Sequence, residues 1–167
     1  MPETYGLDGL MPLEKCGVQP YFSNCIQLAA LIDWILRQTG PAQVMISTFS
    51  TSEEFLRRMV RLRSSGMVTG CSLFCDLRAA RKTAVLRHFI SGVFDNVALC
   101  QNHSKVVLVL NESHHVAVVT SQNQTRGDRF EAGIITSDPL TFNKLLQGFD
   151  RLAENALPID VLFSGND

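Results

Sequence analysis

Five side chains carry the chemistry available to this sequence: His103, Lys105, Ser121, Asn123 and Glu131, all within residues 102–136. His103-x-Lys105 stands at the head of one apolar run, and Ser121-x-Asn123 closes the next. Glu131 lies on a third, eight residues after Asn123. Residues two apart in a strand share a face, so His103 and Lys105 are expected to point the same way, as are Ser121 and Asn123. On neighbouring strands, an imidazole, an ammonium, a hydroxyl and a carboxamide would converge on one patch with a carboxylate beside them. That patch suits an anion, and a phosphodiester is the obvious one.

Taken singly, each residue also has a structural reading. A histidine that opens a strand is commonly just hydrogen-bonded. Lys105 could face solvent from a sheet edge, Ser121 and Asn123 could belong to a polar loop, and Glu131 could pair with Arg129. Their joint order and spacing favour a phosphate site. The other histidines fit less well. His88 falls in a predicted helix with no lysine two residues on, and His114-His115 occupy a tight turn.

The ordered set resembles the signature of the phospholipase D-like superfamily: His-x-Lys-(x)4-Asp, then Gly-Ser-x-Asn, then an acidic residue farther on. It looks most like the short, single-motif prokaryotic and phage-type members, which are nuclease-like. Two positions depart from the pattern, with Leu110 at the aspartate and Thr120 at the glycine. The resemblance implies an α/β fold, a phospholipase D-like sandwich whose central mixed β-sheet is flanked by helices on both faces. It further implies a metal-independent phosphodiesterase, here a nuclease, with no cofactor and no metal ligands. One imidazole attacks phosphorus to give a phosphohistidine, and a second protonates the leaving oxygen. Lys105, Ser121 and Asn123 would hold the non-bridging oxygens, and Glu131 would accept an N–H from a histidine. A chain with one His-x-Lys would then work as a homodimer, each copy giving one His103. In that pattern the aspartate replaced by Leu110 looks like a structural support. The alternative is a degenerate, catalytically weak domain that binds nucleic acid or a protein partner through the same patch.

A chain of 167 residues fits one domain, 1–167, with 1–22 read as an N-terminal surface arm. An apolar fraction of 46% against 19% charged excludes a disordered chain. No apolar run approaches the roughly 18 residues of a membrane span. The first residues lack a basic start and a long apolar region. The expectation is a soluble, cytoplasmic protein without stable membrane association, and the absence of an amphipathic membrane helix disfavours a lipid substrate. The five cysteines, Cys16, Cys25, Cys71, Cys75 and Cys100, are odd in number and read as reduced, buried thiols.

Net charge is only −1, but the distribution is uneven. Residues 57–87 hold eight basic side chains with Asp76 alone opposing them, whereas 1–56 hold Lys15 and Arg37 against six acidic residues. Arg57, Arg58 and Arg61, with Arg126 in the polar stretch after Asn123, are the candidates for contact with nucleic acid. Solvated helix faces would give the same pattern.

The elements that must position these groups are legible in outline. Helices are expected over 24–39 (an Asn24/Gln27 capping box, a stop at Gly40-Pro41), 51–63 (opened by Thr51-x-x-Glu54, closed by Gly66), 81–91 and 138–155. Strands are expected over 43–49, 67–77, 93–99, 103–110, 114–121 and 130–136. Strands alternate with helices in the first half and meander in the second, which argues for a layered α/β fold around a mixed sheet.

Overall fold

The computed structural model describes residues 6–124 and 128–162, with side chains through 160. Its frame is one eight-stranded mixed sheet: β1 (Val18–Ser23), β2 (Ala42–Thr48), β3 (Val68–Asp76), β4 (Asn96–Cys100), β5 (Val106–Leu110), β6 (His115–Thr120), β7 (Glu131–Thr136) and β8 (Leu157–Pro158). The spatial order is β1-β7-β6-β5-β2-β3-β4-β8. β2, β3 and β4 are parallel; β5, β6, β7 and β1 add in antiparallel succession on one side. The helices are α1 (Leu28–Thr39), α2 (Glu53–Ser64), α3 (Ala80–Val85), α4 (Arg87–Val93) and α5 (Pro139–Glu154).

The two faces of the sheet are covered unequally. Alternation along β5 sends Val107 and Val109 towards α1, α2 and α4, where Leu31, Ile32, Leu56 and Ile90 complete the larger core. Leu108 points the other way, into a smaller core with Phe74, Ala117, Phe142 and Phe149 beneath α5. The sandwich with helices on both faces is therefore observed, and among the described residues α5 forms one of its outer layers.

α1 is apolar nearly all round because it is nearly all buried, Leu31, Ile32, Ile35 and Leu36 being fully enclosed. It starts later than its sequence suggests. Gln27 occupies the N-cap without a side-chain bond, so the Asn24/Gln27 box does not form. The α2 cap falls on Ser52, whose hydroxyl accepts from the Phe55 N–H, rather than on Thr51. Gly40 and Gly66, both at positive φ, end α1 and α2 where expected. The single helix expected over 81–91 is two short ones meeting at Leu86. Asp138 caps α5 by accepting from the Thr141 N–H, with Pro139 following it.

The N-terminal arm reading fails at its end. Val18–Ser23 is edge strand β1, paired with β7. Pro20 obscured the pattern, yet an edge strand tolerates proline where its missing N–H would face away from the ladder. Gln19 and Tyr21 turn inward, and the Gln19 carboxamide bonds both the N–H and the carbonyl of Met11, which ties the preceding segment to the strand.

Tyr21, Gly133 and Thr120 lie in one row across β1, β7 and β6. The tyrosine ring lies over Gly133, and its hydroxyl reaches Thr120 Oγ1 at 2.6 Å and donates to Gln122 Oε1 at 2.8 Å. Burial, opposed in part by the Thr120 bond, pushes the phenol up to about 12. A Cβ on Gly133 would sit 2.5 Å from the ring. Gly133→Ala is therefore expected to cost about 1–3 kcal/mol by overpacking, read as a lower midpoint in urea. An unchanged midpoint would mean that the ring is free to move.

Candidate active site

All five candidate residues gather at one end of the sheet. β2, β3 and β4 finish there at Thr48, Asp76 and Cys100; β5 and β7 start there, and β1 and β6 end there. The candidates flank the strands rather than lying within them. His103 and Lys105 precede β5, Ser121 and Asn123 follow β6, and only Glu131, the first residue of β7, is inside one. The shared-face argument thus brings the five residues to one sheet end, but through a local assignment that the strand bounds do not support. Residues just outside strand ends can be aimed freely, whereas ladder residues cannot.

Lys105 and His103 are in contact: the ammonium donates to the His103 carbonyl at 3.0 Å and lies 3.3 Å from its Nδ1. Ser121 Oγ donates to Glu131 Oε2 and accepts from the Ala132 N–H at 3.1 Å. The two pairs are joined through the backbone, since the Thr120 N–H donates to the Lys105 carbonyl at 3.1 Å. Within one chain, then, the described partners of the Glu131 carboxylate are the Ser121 hydroxyl and, at 3.9 Å, the Arg129 guanidinium, and not a histidine.

The loop carrying His103 is held from below by residues that sequence reasoning did not single out. Asn102 is buried, and its carboxamide donates to Ser47 Oγ and to the carbonyls of Thr48 and Phe74 while accepting from the Ser104 N–H. Its own N–H donates to Asp76 Oδ2 at 2.8 Å. Arg78 bonds Asp76 in turn and lies over the Phe49 ring, which packs against the His103 imidazole at 5.5 Å. The available signal was a polar pair at the ends of two apolar strands, Asp76 as the last residue of β3 and Asn102 two residues past the end of β4.

Asp76 carries a pH dependence. The Arg78 bond, aided by the two backbone N–H donors, lowers its carboxyl from 3.8 to about 2 against the opposing effect of burial. A depressed folded value stabilises the protein above the ordinary carboxylate range, and that contribution is lost as pH falls towards 2. The amides of Asn102 and Arg78 are expected to lose exchange protection between about pH 4 and 2, ahead of the β5 amides. Simultaneous loss at all of them would show that the loop has no separate anchor.

Leu110 is remote from this end. It closes β5 opposite His115, five residues along from Lys105, and packs against the core under α5. The leucine at the motif's aspartate position therefore removes no group from the patch. Thr120, at the glycine position, is occupied by Tyr21 and by the Gln122 N–H, so its side chain braces the β6 turn.

Asn123 opens on an adjoining cleft with Ser52, Arg58, Gln122, Gln124 and Glu131. Of the described candidate arginines Arg57, Arg58 and Arg61, Arg58 lines this cleft. Arg57 pairs with Glu53 and lies over the Phe89 ring, and Arg61 is exposed in the last turn of α2. Arg126 lies outside the described residues. Cys71, Cys75 and Cys100 are buried free thiols, the first two pushed up to about 12 by burial. Cys16 is half-buried and Cys25 exposed, contrary to the expectation of burial.

No protein-family model matches this sequence, and no curated protein is recognisably similar to it. Solved structures are similar. NucT from Helicobacter pylori superimposes with a TM-score of 0.62 at 14% identity, over 84% of this chain and 99% of that one. Nuc from Salmonella typhimurium, a phospholipase D family member, gives 0.59 at 18% identity, over 84% and 96%. Phosphatidylserine synthase of Haemophilus influenzae gives 0.61 at 17% identity, over 84% of this chain and 39% of that one. The chain has the phospholipase D-like fold. Among the described residues no helix is long and apolar enough to cross a membrane.

Proposed function

We propose that this protein is a metal-independent phosphodiesterase that cleaves nucleic acid through a phosphohistidine on His103, as a homodimer. One observation carries the reading. The fold it shares with Nuc sets a His103–Lys105 pair and a Ser121–Glu131 pair side by side at one sheet end.

A phosphate entering between the two pairs competes for the Lys105 ammonium and draws it off the imidazole. Lys105, Ser121 and the Asn123 amide then donate to the non-bridging oxygens, where negative charge must be held as phosphorus becomes five-coordinate. A ring nitrogen of His103 attacks phosphorus, the bond to the leaving oxygen breaks, and a second imidazole supplies that oxygen's proton. Water next attacks phosphorus, breaking the phosphorus–nitrogen bond to free His103 and giving its proton to the same second imidazole. Near-neutral pH suits both roles, because imidazole ordinarily titrates near 6.5.

The second imidazole is assigned to a second copy. On the α5 side of the sheet, α5 leaves β1, β7 and the end of β6 uncovered. Pro20, Ile134 and Val119 form a row across the three strands, with Phe22 and Phe130 stacked beside them towards the site. Phe22 is 75% exposed and Phe130 63%, a cost that a partner copy would remove. Phe22 pairs with Ala132 in register, one residue from Glu131, so a copy seated there adjoins the catalytic end.

The test is cleavage of labelled single- and double-stranded DNA and RNA in excess EDTA, followed by acid and base treatment of quenched enzyme. The expected result is chelator-resistant cleavage and a labelled protein adduct that is stable in base and labile in acid. Binding without cleavage of any substrate would instead favour a binding module.

A further inference from the structure

The cleft beside Asn123 has polar features that phosphate chemistry does not use. Its volume is about 150 Å³, below the roughly 300 Å³ at which drug-sized sites begin. Ile26, Leu28 and Phe55 supply apolar wall, and the first turn of α1, which no side chain caps, opens onto it.

Gln124 is the telling residue. It is 2% exposed and lines the cleft, yet neither its carboxamide oxygen nor its nitrogen has a hydrogen-bond partner among the described residues. Asn123 Oδ1 is likewise buried and unpaired. Leaving such groups unsatisfied costs about 1–3 kcal/mol each, so their partner is expected to be a ligand. The Gln124 backbone is fully engaged: its N–H donates to the Ser50 carbonyl, and its own carbonyl accepts from the Ser52 hydroxyl. The backbone of Gln124 is thus held in place while both polar atoms of its buried carboxamide stay without a partner among the described residues.

Charge selects among ligands. Among the described residues that line the cleft, Glu54, Asp128 and Glu131 stand with the guanidinium of Arg58. Three carboxylates facing one cation disfavour a second phosphate. They favour a neutral, flat group that can donate as well as accept. A carboxamide matches the adjacent donor and acceptor on an amino-bearing base edge, the pairing by which glutamine and asparagine read adenine.

We propose that this cleft takes one nucleobase of the substrate and reads an amino-bearing edge through Gln124 and Asn123 Oδ1. This rests on the nuclease reading. Asn123 links the two sites, since its amide N–H serves the phosphate while its oxygen serves the base. The base that is read therefore belongs to a nucleotide flanking the cut, and the enzyme cleaves with a preference at that position.

Two measurements keep this proposal separate from the nuclease reading. The first titrates free adenosine, guanosine, cytidine, thymidine and uridine, and inorganic phosphate, into the wild type, His103→Ala and Gln124→Met, following the glutamine side-chain amide signals. The expected result is binding of adenosine at least tenfold tighter than of thymidine or uridine, with the Gln124 amide shifting. That discrimination should survive in His103→Ala and be lost in Gln124→Met, a replacement of similar shape. No nucleoside binding, equal binding of all five, or a Gln124 shift with phosphate alone would overturn the proposal whether or not the protein cleaves. The second sequences the ends produced from a randomised oligonucleotide. A bias next to the cut that flattens in Gln124→Met is expected; an unchanged bias would overturn the proposal. Nucleoside binding in a protein that cuts nothing would refute the nuclease reading and leave the base site standing.

Discussion

His103→Ala is expected to reduce nucleic-acid cleavage about 10³-fold or more while leaving the fold intact. The imidazole is exposed, and its described contacts are the Lys105 ammonium and the Phe49 ring, so its loss opens no cavity. A nucleophile's removal is not compensated by its neighbours, and three decades correspond to about 4 kcal/mol of lost transition-state stabilisation. Nucleic-acid binding should remain, because the phosphate contacts proposed for Lys105, Ser121 and Asn123 are unchanged. A dimer with one His103 from each copy gives a sharper form of the result. With His103→Ala mixed in excess and allowed to exchange, activity per wild-type chain should fall in proportion to the wild-type fraction. Constant activity per wild-type chain would show that each site works alone.

Phe22→Glu combined with Ile134→Glu is expected to yield a monomer that has lost at least 100-fold in activity. Both side chains lie on the uncovered side of the sheet, 75% and 48% exposed, so two charges there disturb no core. Across a dimer interface the same charges face one another in an apolar seam, where unpaired carboxylates are strongly unfavourable. Light scattering should give half the wild-type mass, and circular dichroism an unchanged fold. A wild type that scatters as a monomer at working concentration and still cleaves would overturn the dimer. In that case the second imidazole would have to come from His88, His114 or His115. His114 and His115 stand at the opposite end of the β5–β6 pair from His103, too far to act on the same phosphate.

Local pattern determined much of this protein. The buried α1, the Gly40 and Gly66 stops, the Asp138-Pro139 helix start and the change from alternating to meandering strands are all short-range, because helix periodicity, caps and turn residues act over a few positions. The five candidate residues were likewise legible from order and spacing, and the fold gathers them at one sheet end. Tertiary structure decided what depends on partners distant in sequence. Val18–Ser23 became a strand only because β7 offered it an edge, and Leu110 was remote from the patch only because β5 runs away from it. Asn102 took its place through bonds to residues 26 to 55 positions earlier. Glu131 met a serine before any histidine, since the β6–β7 register sets Ser121 against Ala132. The Gln124 carboxamide has no hydrogen-bond partner among the described residues, in a cleft assembled from α1, α2 and the β6 turn. The physical reason is common to all of them. Burial and hydrogen-bond satisfaction are properties of three-dimensional neighbours, and a sequence displays only those within a few residues.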